Sequence, residues 1–234
     1  MGINDFEENN SQFDTNDQAF SAENEELKRQ EEAKKAEQKD SYAFLGKWLW
    51  YYFILIVPSI VAAVFGAFTD YPIMVLVGSI MDIAVSGLTI FILVKLGSQN
   101  AKYGKAGLLQ IPLIITNLIK IFAFVATGTE VPLWYTGGVE FVAALVGLYG
   151  TYLEFKAHEE VTSFVDPTLS ETWAKLWKWT VICMVVTICS AFLILIPVLG
   201  LLIMIAGVIG LVVVSILKLI YLYRTAKLFQ SLAL

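Results

Sequence analysis

Long apolar stretches alternate with short polar segments between residues 48 and 223, and the stretches fall into three pairs. Each stretch has roughly 20–25 residues, which at about 1.5 Å per residue is enough to cross a hydrocarbon core of about 30 Å. We therefore predict an all-α membrane protein whose six transmembrane helices form three antiparallel hairpins. The predicted spans are residues 48–68, 73–96, 107–127, 133–155, 177–196 and 199–223.

The turns inside the three pairs differ in charge from the linkers between the pairs. Residues 69–72, 128–132 and 197–200 contain Pro or Gly, which favours a turn, and they carry no Lys or Arg. Because Lys and Arg accumulate in cytoplasmic segments, the opposite ends of the spans, and with them both termini, are predicted to be cytoplasmic. Five or seven spans would scatter the basic residues to both sides. These residues are Lys47, Lys95, Lys102, Lys105, Lys156, Lys175, Lys178, Lys218, Arg224 and Lys227.

The first and third hairpins begin with similar segments, rich in Trp and Lys, at residues 47–50 and 175–179. Duplication of one hairpin would produce parallel repeats of this kind. Convergence on the same membrane-interface chemistry is the alternative, because Trp and Lys are common at that depth in unrelated proteins.

The first 44 residues form a separate acidic tail. They hold twelve acidic and five basic residues, net -7, whereas residues 45–234 are net +2. Residues 1–20 are polar and lack apolar periodicity, which favours disorder. Good helix formers follow, so a charged helix over residues 22–39 is predicted, with Ser21 as its cap. This helix is polar all round, so it is either solvated or available to a partner.

The composition excludes several classes of protein. With 57% hydrophobic residues, the chain exceeds the roughly 45–50% that is typical of soluble domains. The acidic tail would be repelled by phosphate groups, which excludes nucleic acid as its partner. The lipid bilayer is the expected surrounding of residues 45–234. No catalytic, cofactor-binding or metal-binding motif occurs in the sequence, so no enzyme and no cofactor are predicted.

Four residues stand out among the polar positions of the predicted spans, where an ionised side chain costs roughly 2.5–3.5 kcal/mol on insertion scales. Lys120 is ten residues before Glu130, which lies in the second turn, and Glu140 is ten residues after it. Equal distances from the turn of an antiparallel hairpin mean equal depth, so an ion pair is predicted. Asp82 lies near the same level, and Asn117 is one helical turn from Lys120.

Two interpretations of this cluster remain open. Intramembrane charges mark substrate or proton sites in transport proteins, which favours a functional site. The alternative is a structural ion pair that fixes the register of the helices. Pro58 and Pro112 predict bends, but the sequence does not mark the paired, interrupted helices that are typical of transporters.

The other polar residues of the spans are interpreted as structural. Glu154, Lys95 and Lys218 lie near the cytoplasmic ends of spans, where their side chains are expected to reach the membrane surface. His158 is placed in a cytoplasmic loop and lacks the second histidine of a metal-binding motif. The two cysteines lie in one apolar stretch and are interpreted as small core residues.

Two segments carry a resemblance to known proteins: residues 45–50, Leu-Gly-Lys-Trp-Leu-Trp, and residues 221–227, Tyr-Leu-Tyr-Arg-Thr-Ala-Lys. They resemble parts of small uncharacterised multi-pass membrane proteins of Gram-positive bacteria. Some of those proteins look to carry an N-terminal zinc ribbon, which the cysteine-free tail of this chain cannot form. The resemblance implies a bacterial plasma membrane and no assigned activity.

Together these features predict a polytopic membrane protein without enzymatic activity that acts as an accessory or interaction subunit. Its acidic tail is the segment expected to engage another membrane or cytoplasmic protein. The alternative is a small transporter or channel that works through Asp82, Lys120 and Glu140.

Overall fold

Helices make up every element that the structure, a computed structural model, describes. It describes residues 4–66, 68, 71–127, 135–192 and 197–234. A π-helical turn, Tyr135–Val139, precedes the sixth α-helix. The α-helices are α1 (Asn4–Ile54), α2 (Ile56–Gly66), α3 (Pro72–Leu96), α4 (Ala101–Leu108), α5 (Ile111–Thr127), α6 (Glu140–Ser163), α7 (Pro167–Phe192) and α8 (Pro197–Leu232).

Five helical stretches of the described residues are long and apolar enough to cross a membrane, which confirms the prediction of an all-α, multi-pass membrane protein. They are Glu25–Gly66, Ile73–Leu96, Ala101–Ala126, Gly137–Ser163 and Gly200–Leu232. The predicted span at 177–196 falls on α7 and is described only as far as Phe192. The predicted turns at 69–72 and 128–132 lie wholly or partly outside the described residues, as does the start of the span at 133–155.

Two of the apolar stretches are interrupted near a proline. The first span turns at Leu55, three residues before Pro58, so that α1 ends and α2 begins there. The third span turns at residues 109–110, just before Pro112, and consists of α4 and α5. Proline has no N–H for the carbonyl four residues earlier, and its ring collides with that carbonyl. The helices are therefore interrupted near both prolines, where the sequence predicts bends.

The packed core lies at one end of the helix bundle, which we call the base. Here the Lys39 ammonium donates a hydrogen bond of 3.0 Å to the C-terminal Leu234 carbonyl, and Ser41 Oγ donates one of 2.5 Å to Gln99. The base therefore brings together α1, the turn after α3 and the end of α8. Its largest buried apolar side chains are Leu49, Leu93, Leu96, Tyr103, Trp173, Leu222 and Phe229.

Three helices extend further into the base than the predicted spans. α6 continues to Ser163 and α8 to Leu232, and α7 already begins at Pro167. The backbone N–H of Leu169 donates to Asp166 Oδ1 at 3.0 Å, so this aspartate caps α7 with proline at its first position. The extensions bury their apolar faces against one another, so they need no lipid to remain helical.

Small residues bring α2 and α3 into backbone contact beyond the base. A Cβ added at Gly78 would lie 2.7 Å from the backbone nitrogen of Gly66 and 2.8 Å from the carbonyl oxygen of Ala62. Ala62 and Gly66, which are spaced by four residues, therefore let α2 and α3 approach closely. A similar approach joins α8 to α7, where a Cβ at Gly210 would lie 2.6 Å from Cys183 Sγ.

The acidic tail forms the first part of α1. The helix begins at Asn4 and includes the predicted charged helix at 22–39. It also includes residues 4–20, for which the composition favours disorder. Every residue from 25 to 40 is exposed. No element of the described chain packs over this segment along its length, which agrees with a helix that is polar all round.

Candidate functional site

The predicted polar cluster lies beyond the base, and the structure joins its members in two pairs. Lys120 Nζ on α5 is 2.6 Å from Glu140 Oε1 on α6, so the ion pair expected from equal depth is present. Asn117 Nδ2 on α5 donates a hydrogen bond of 3.3 Å to Asp82 Oδ2 on α3. Within the described residues Asp82 has no ion-pair partner, because Lys120 pairs with Glu140 instead.

Two cavities flank α5 at this level. One of about 410 Å³ lies between α5 and α6 and is lined by Asn117, Lys120 and Glu140. The other, of about 270 Å³, lies between α2, α3 and α5 and is lined by Asp82, Asn117 and Lys120. Asn117 and Lys120 therefore border both cavities, with a carboxylate on either side. Each cavity has an apolar lining with a few polar groups, and a volume of this size has room for water or a small polar solute.

A second polar network lies in the base, and it was not predicted. Glu154 on α6 is 2% exposed, and its Oε1 accepts a hydrogen bond of 2.8 Å from the Tyr52 hydroxyl on α1. The same oxygen lies 2.7 Å from Lys218 Nζ on α8. The ammonium also lies 5.3 Å from the centre of the Phe155 ring. A buried carboxylate needs such partners, because an unpaired charge in the protein interior is strongly unfavourable.

His158, one turn further along α6, is fully buried and extends this network. Its Nδ1 is 2.8 Å from the Tyr103 hydroxyl, and its Nε2 is 3.8 Å from Glu154 Oε1. The ring stacks on Trp173 with 4.3 Å between centroids. Trp173 Nε1 in turn donates a hydrogen bond of 3.1 Å to Thr225 Oγ1. Side chains from α1, α4, α6, α7 and α8 thus meet around one carboxylate.

Three interpretations of the sequence are wrong at this network. Glu154 and Lys218 do not extend to the membrane surface, because each is held by the other inside the base. His158 does not lie in a loop, because α6 continues past it to Ser163. One signal was available in the sequence: Glu154 and His158 are four residues apart and therefore share one helical face, which also contains Ala157 and other small residues.

The chemistry available at both sites is proton transfer, charge pairing and hydrogen bonding. Within the described residues, no group of three His, Cys, Asp or Glu side chains is arranged to hold a metal ion. Cys183 is half-buried and Cys189 is exposed, and both are free thiols. Comparison with models of protein families, with curated proteins and with solved structures finds no match.

Proposed function

We propose that this chain is a six-span protein of a bacterial plasma membrane, built from three hairpins, with the base and both termini on the cytoplasmic side. Basic residues at the base, among them Lys39, Lys102 and Lys156, support this orientation under the positive-inside rule. The contact of Lys39 with the Leu234 carbonyl supports a common side for the two ends of the chain. α7 supplies the remaining span.

The protein acts as an accessory or interaction subunit without enzymatic activity, and residues 25–40, the arm, engage its partner. The observation that carries this proposal is the continuity of α1, which runs from the arm into the first span without a break until Ile54. A continuous helix of this kind holds the arm at a defined angle to the membrane domain. If the helix were broken by a flexible linker, the arm would have no fixed direction relative to the membrane domain.

The chemistry of the arm indicates the kind of partner. Residues 25–40 contain six acidic and five basic side chains, interspersed rather than separated. Arg29 lies 3.7 Å from Glu25 one turn earlier, in the pattern of exposed charge pairs on coiled-coil and bundle surfaces. Such a surface is complementary to another helix of mixed charge. It offers no extended positive surface for a phosphate backbone.

Replacing all Glu, Asp, Lys and Arg residues of the arm by Gln is expected to abolish partner binding and to leave the membrane domain folded. Gln is a good helix former, so the variant keeps the helix and removes its charges. The measurement is quantitative mass spectrometry of proteins that copurify from native membranes after cross-linking. A control variant with the same substitutions at residues 5–20 only should retain the partner. Identical partner profiles for wild type and the arm variant would refute the proposal.

A second candidate function is transport of a small solute or of protons through the cluster beyond the base. The observation that favours it is the pair of cavities at Asn117 and Lys120, each bordered by a carboxylate. A purely structural ion pair has no need of open polar space on both sides, since cavities reduce packing and cost stability.

Separate neutralisation of the two carboxylates tests this second function. Glu140→Gln leaves Lys120 unpaired and should lower stability by roughly 3 kcal/mol, the cost of one ionised side chain at this depth. Asp82→Asn preserves the hydrogen bond with Asn117 and should leave stability nearly unchanged. If the cluster transports, Asp82→Asn abolishes the flux of protons or solute in proteoliposomes. A loss of stability for Glu140→Gln alone, with flux unaffected in both variants, would exclude transport through this cluster.

A further inference from the structure

The α3 helix carries a row of polar side chains along one face. Ser79, Asp82, Ser86 and Thr89 follow one another at intervals of three, four and three residues, which places them in a single stripe along the helix. All four side chains are half-buried, in an otherwise apolar helix. The stripe extends over eleven residues, Ser79 to Thr89, or about 15 Å along the axis.

Polar side chains of the neighbouring helices lie against this stripe. Asn117 on α5 bonds to Asp82. Gln110 precedes it by seven residues, two helical turns towards the base, and Ser59 on α2 borders the same space. The polar positions of three helices therefore converge on one line through the bundle.

Two separate cavities lie along this line. The cavity of about 270 Å³ beyond the base is lined by Ser79 and Asp82. A groove of about 620 Å³ lies nearer the base, between α2, α3 and α8. Its polar lining is Ser59, Ser86, Thr89, Gln110, Ser215, Tyr52 and Lys218. The last two residues belong to the Glu154 network, so the line ends at the buried ion pair.

Three hydroxyl groups on this line have no bond to the protein, whereas Ser79 Oγ donates a hydrogen bond of 2.8 Å to the Val75 carbonyl. Elsewhere in the spans, helical Ser and Thr side chains bond to a carbonyl of the preceding turn, as Thr151 and Thr187 do. Among the described residues, the side chains of Ser59, Ser86 and Thr89 make no such bond. A hydroxyl without a partner at membrane depth is costly, and water is the partner that costs least to supply.

We infer that this polar track is hydrated and conducts protons between the far side of the membrane and the base, with Asp82 as the carboxylate that binds and releases the proton. A proton enters from water in the far cavity, binds to the Asp82 carboxylate, and leaves to water in the groove at Ser86 and Thr89. The carboxylate is regenerated, so each passage moves one proton and no other reactant is consumed. This inference rests on the second candidate function and specifies its substrate.

The groups around Asp82 favour a proton over a metal cation. Potassium-selective filters replace the hydration shell with rings of backbone carbonyls, which the side of a regular helix does not provide. Asp82 faces the Asn117 amide and the Lys120 ammonium from α5, Ser79 from its own helix, and small apolar residues from α2. Lys120 is already paired with Glu140, so one negative charge remains for one proton.

Cysteine accessibility tests the hydration of the track. In a background with Cys183→Ala and Cys189→Ala, the variants Ser86→Cys and Thr89→Cys should react with a charged, water-soluble thiol reagent in proteoliposomes. The matched controls Ile80→Cys and Leu88→Cys lie on the exposed, lipid-facing side of the same helix. These two controls should react at least about tenfold more slowly, because the reactive thiolate is disfavoured in apolar surroundings. Equal, slow reaction at all four positions would mean that lipid fills the groove, and would overturn the inference.

Proton flux tests the role of Asp82. Proteoliposomes with an imposed pH gradient and a pH-sensitive dye inside should lose the gradient faster with wild type than with Asp82→Asn, and Ser86→Leu should slow the flux as well. Leu88→Ser, on the lipid side of α3, should leave the flux unchanged. Equal flux for wild type and Asp82→Asn would overturn proton conduction. If Asp82→Asn instead abolishes uptake of another solute, the second candidate function stands and the assignment of protons fails.

Discussion

Replacing Glu154 with Gln should lower the free energy of unfolding by about 3–5 kcal/mol, the usual cost of removing one member of a buried ion pair. The substitution keeps the shape of the side chain and a hydrogen-bond acceptor for Tyr52. It removes the charge that Lys218 faces at 2.7 Å, and Lys218 remains in the base without its counter-ion. Thermal and denaturant unfolding of the purified protein in detergent, followed by tryptophan fluorescence, measures the loss.

Two further variants separate charge pairing from packing. The double substitution Glu154→Gln with Lys218→Met should recover most of the lost stability, because both charges are then absent. The control Glu171→Gln breaks the pair with Lys175, whose members are both exposed, and should change stability by less than about 1 kcal/mol. Similar losses for Glu154→Gln and Glu171→Gln would contradict the assignment of a buried pair.

Trp173→Ala should destabilise the base by about 3–5 kcal/mol, the range for removing a fully buried Trp or Phe. The indole is the largest fully buried side chain, and it packs against His158 and Phe155. Its removal also leaves Thr225 Oγ1 without a donor from α7. The same unfolding experiments, with His158 resonances followed by NMR as a local probe, report this loss.

Two comparisons define what Trp173 contributes. Trp173→Phe retains an aromatic ring for the stack but removes the bond to Thr225 and part of the buried volume, so it should cost about 1–3 kcal/mol, less than Trp173→Ala. Trp179→Ala, six residues along the same helix, removes an exposed indole and should have a small effect on unfolding. An equal loss for Trp173→Ala and Trp179→Ala would show that the base is not organised around Trp173.

Hydropathy and charge predict the helices of this protein and one contact between them. The helices depend on local sequence, and the contact depends only on the distance of two residues from a turn. An antiparallel hairpin relates Lys120 to Glu140 by simple counting from a turn, and the structure places them 2.6 Å apart. The same counting places Asp82 near that level. It does not predict that Asp82 contacts Asn117 rather than Lys120. That choice depends on the rotation of α3 and α5 about their axes, which the turn does not determine.

The network at the base could not be predicted in this way. Glu154 bonds to Tyr52, which lies 102 positions earlier in the chain, and to Lys218 on the last helix. Contacts between helices that are not neighbours in sequence depend on the packing of the whole bundle. Hydropathy averages also end the spans where polar residues begin, although α6 and α8 continue. His158 is therefore assigned to a cytoplasmic loop by sequence, and to the core by structure.

The two helix breaks near Pro58 and Pro112 have a mechanical consequence. Both lie at the level where the packed base ends, and both border the groove, through Leu55 and Gln110. α3 and α8 cross this level without interruption, whereas α2 and α5 are joined to the base through a turn. A change in bilayer thickness forces helices to tilt or bend. We expect α2 and α5 to absorb that strain, so that a thinner membrane alters the width of the groove while the base keeps its shape.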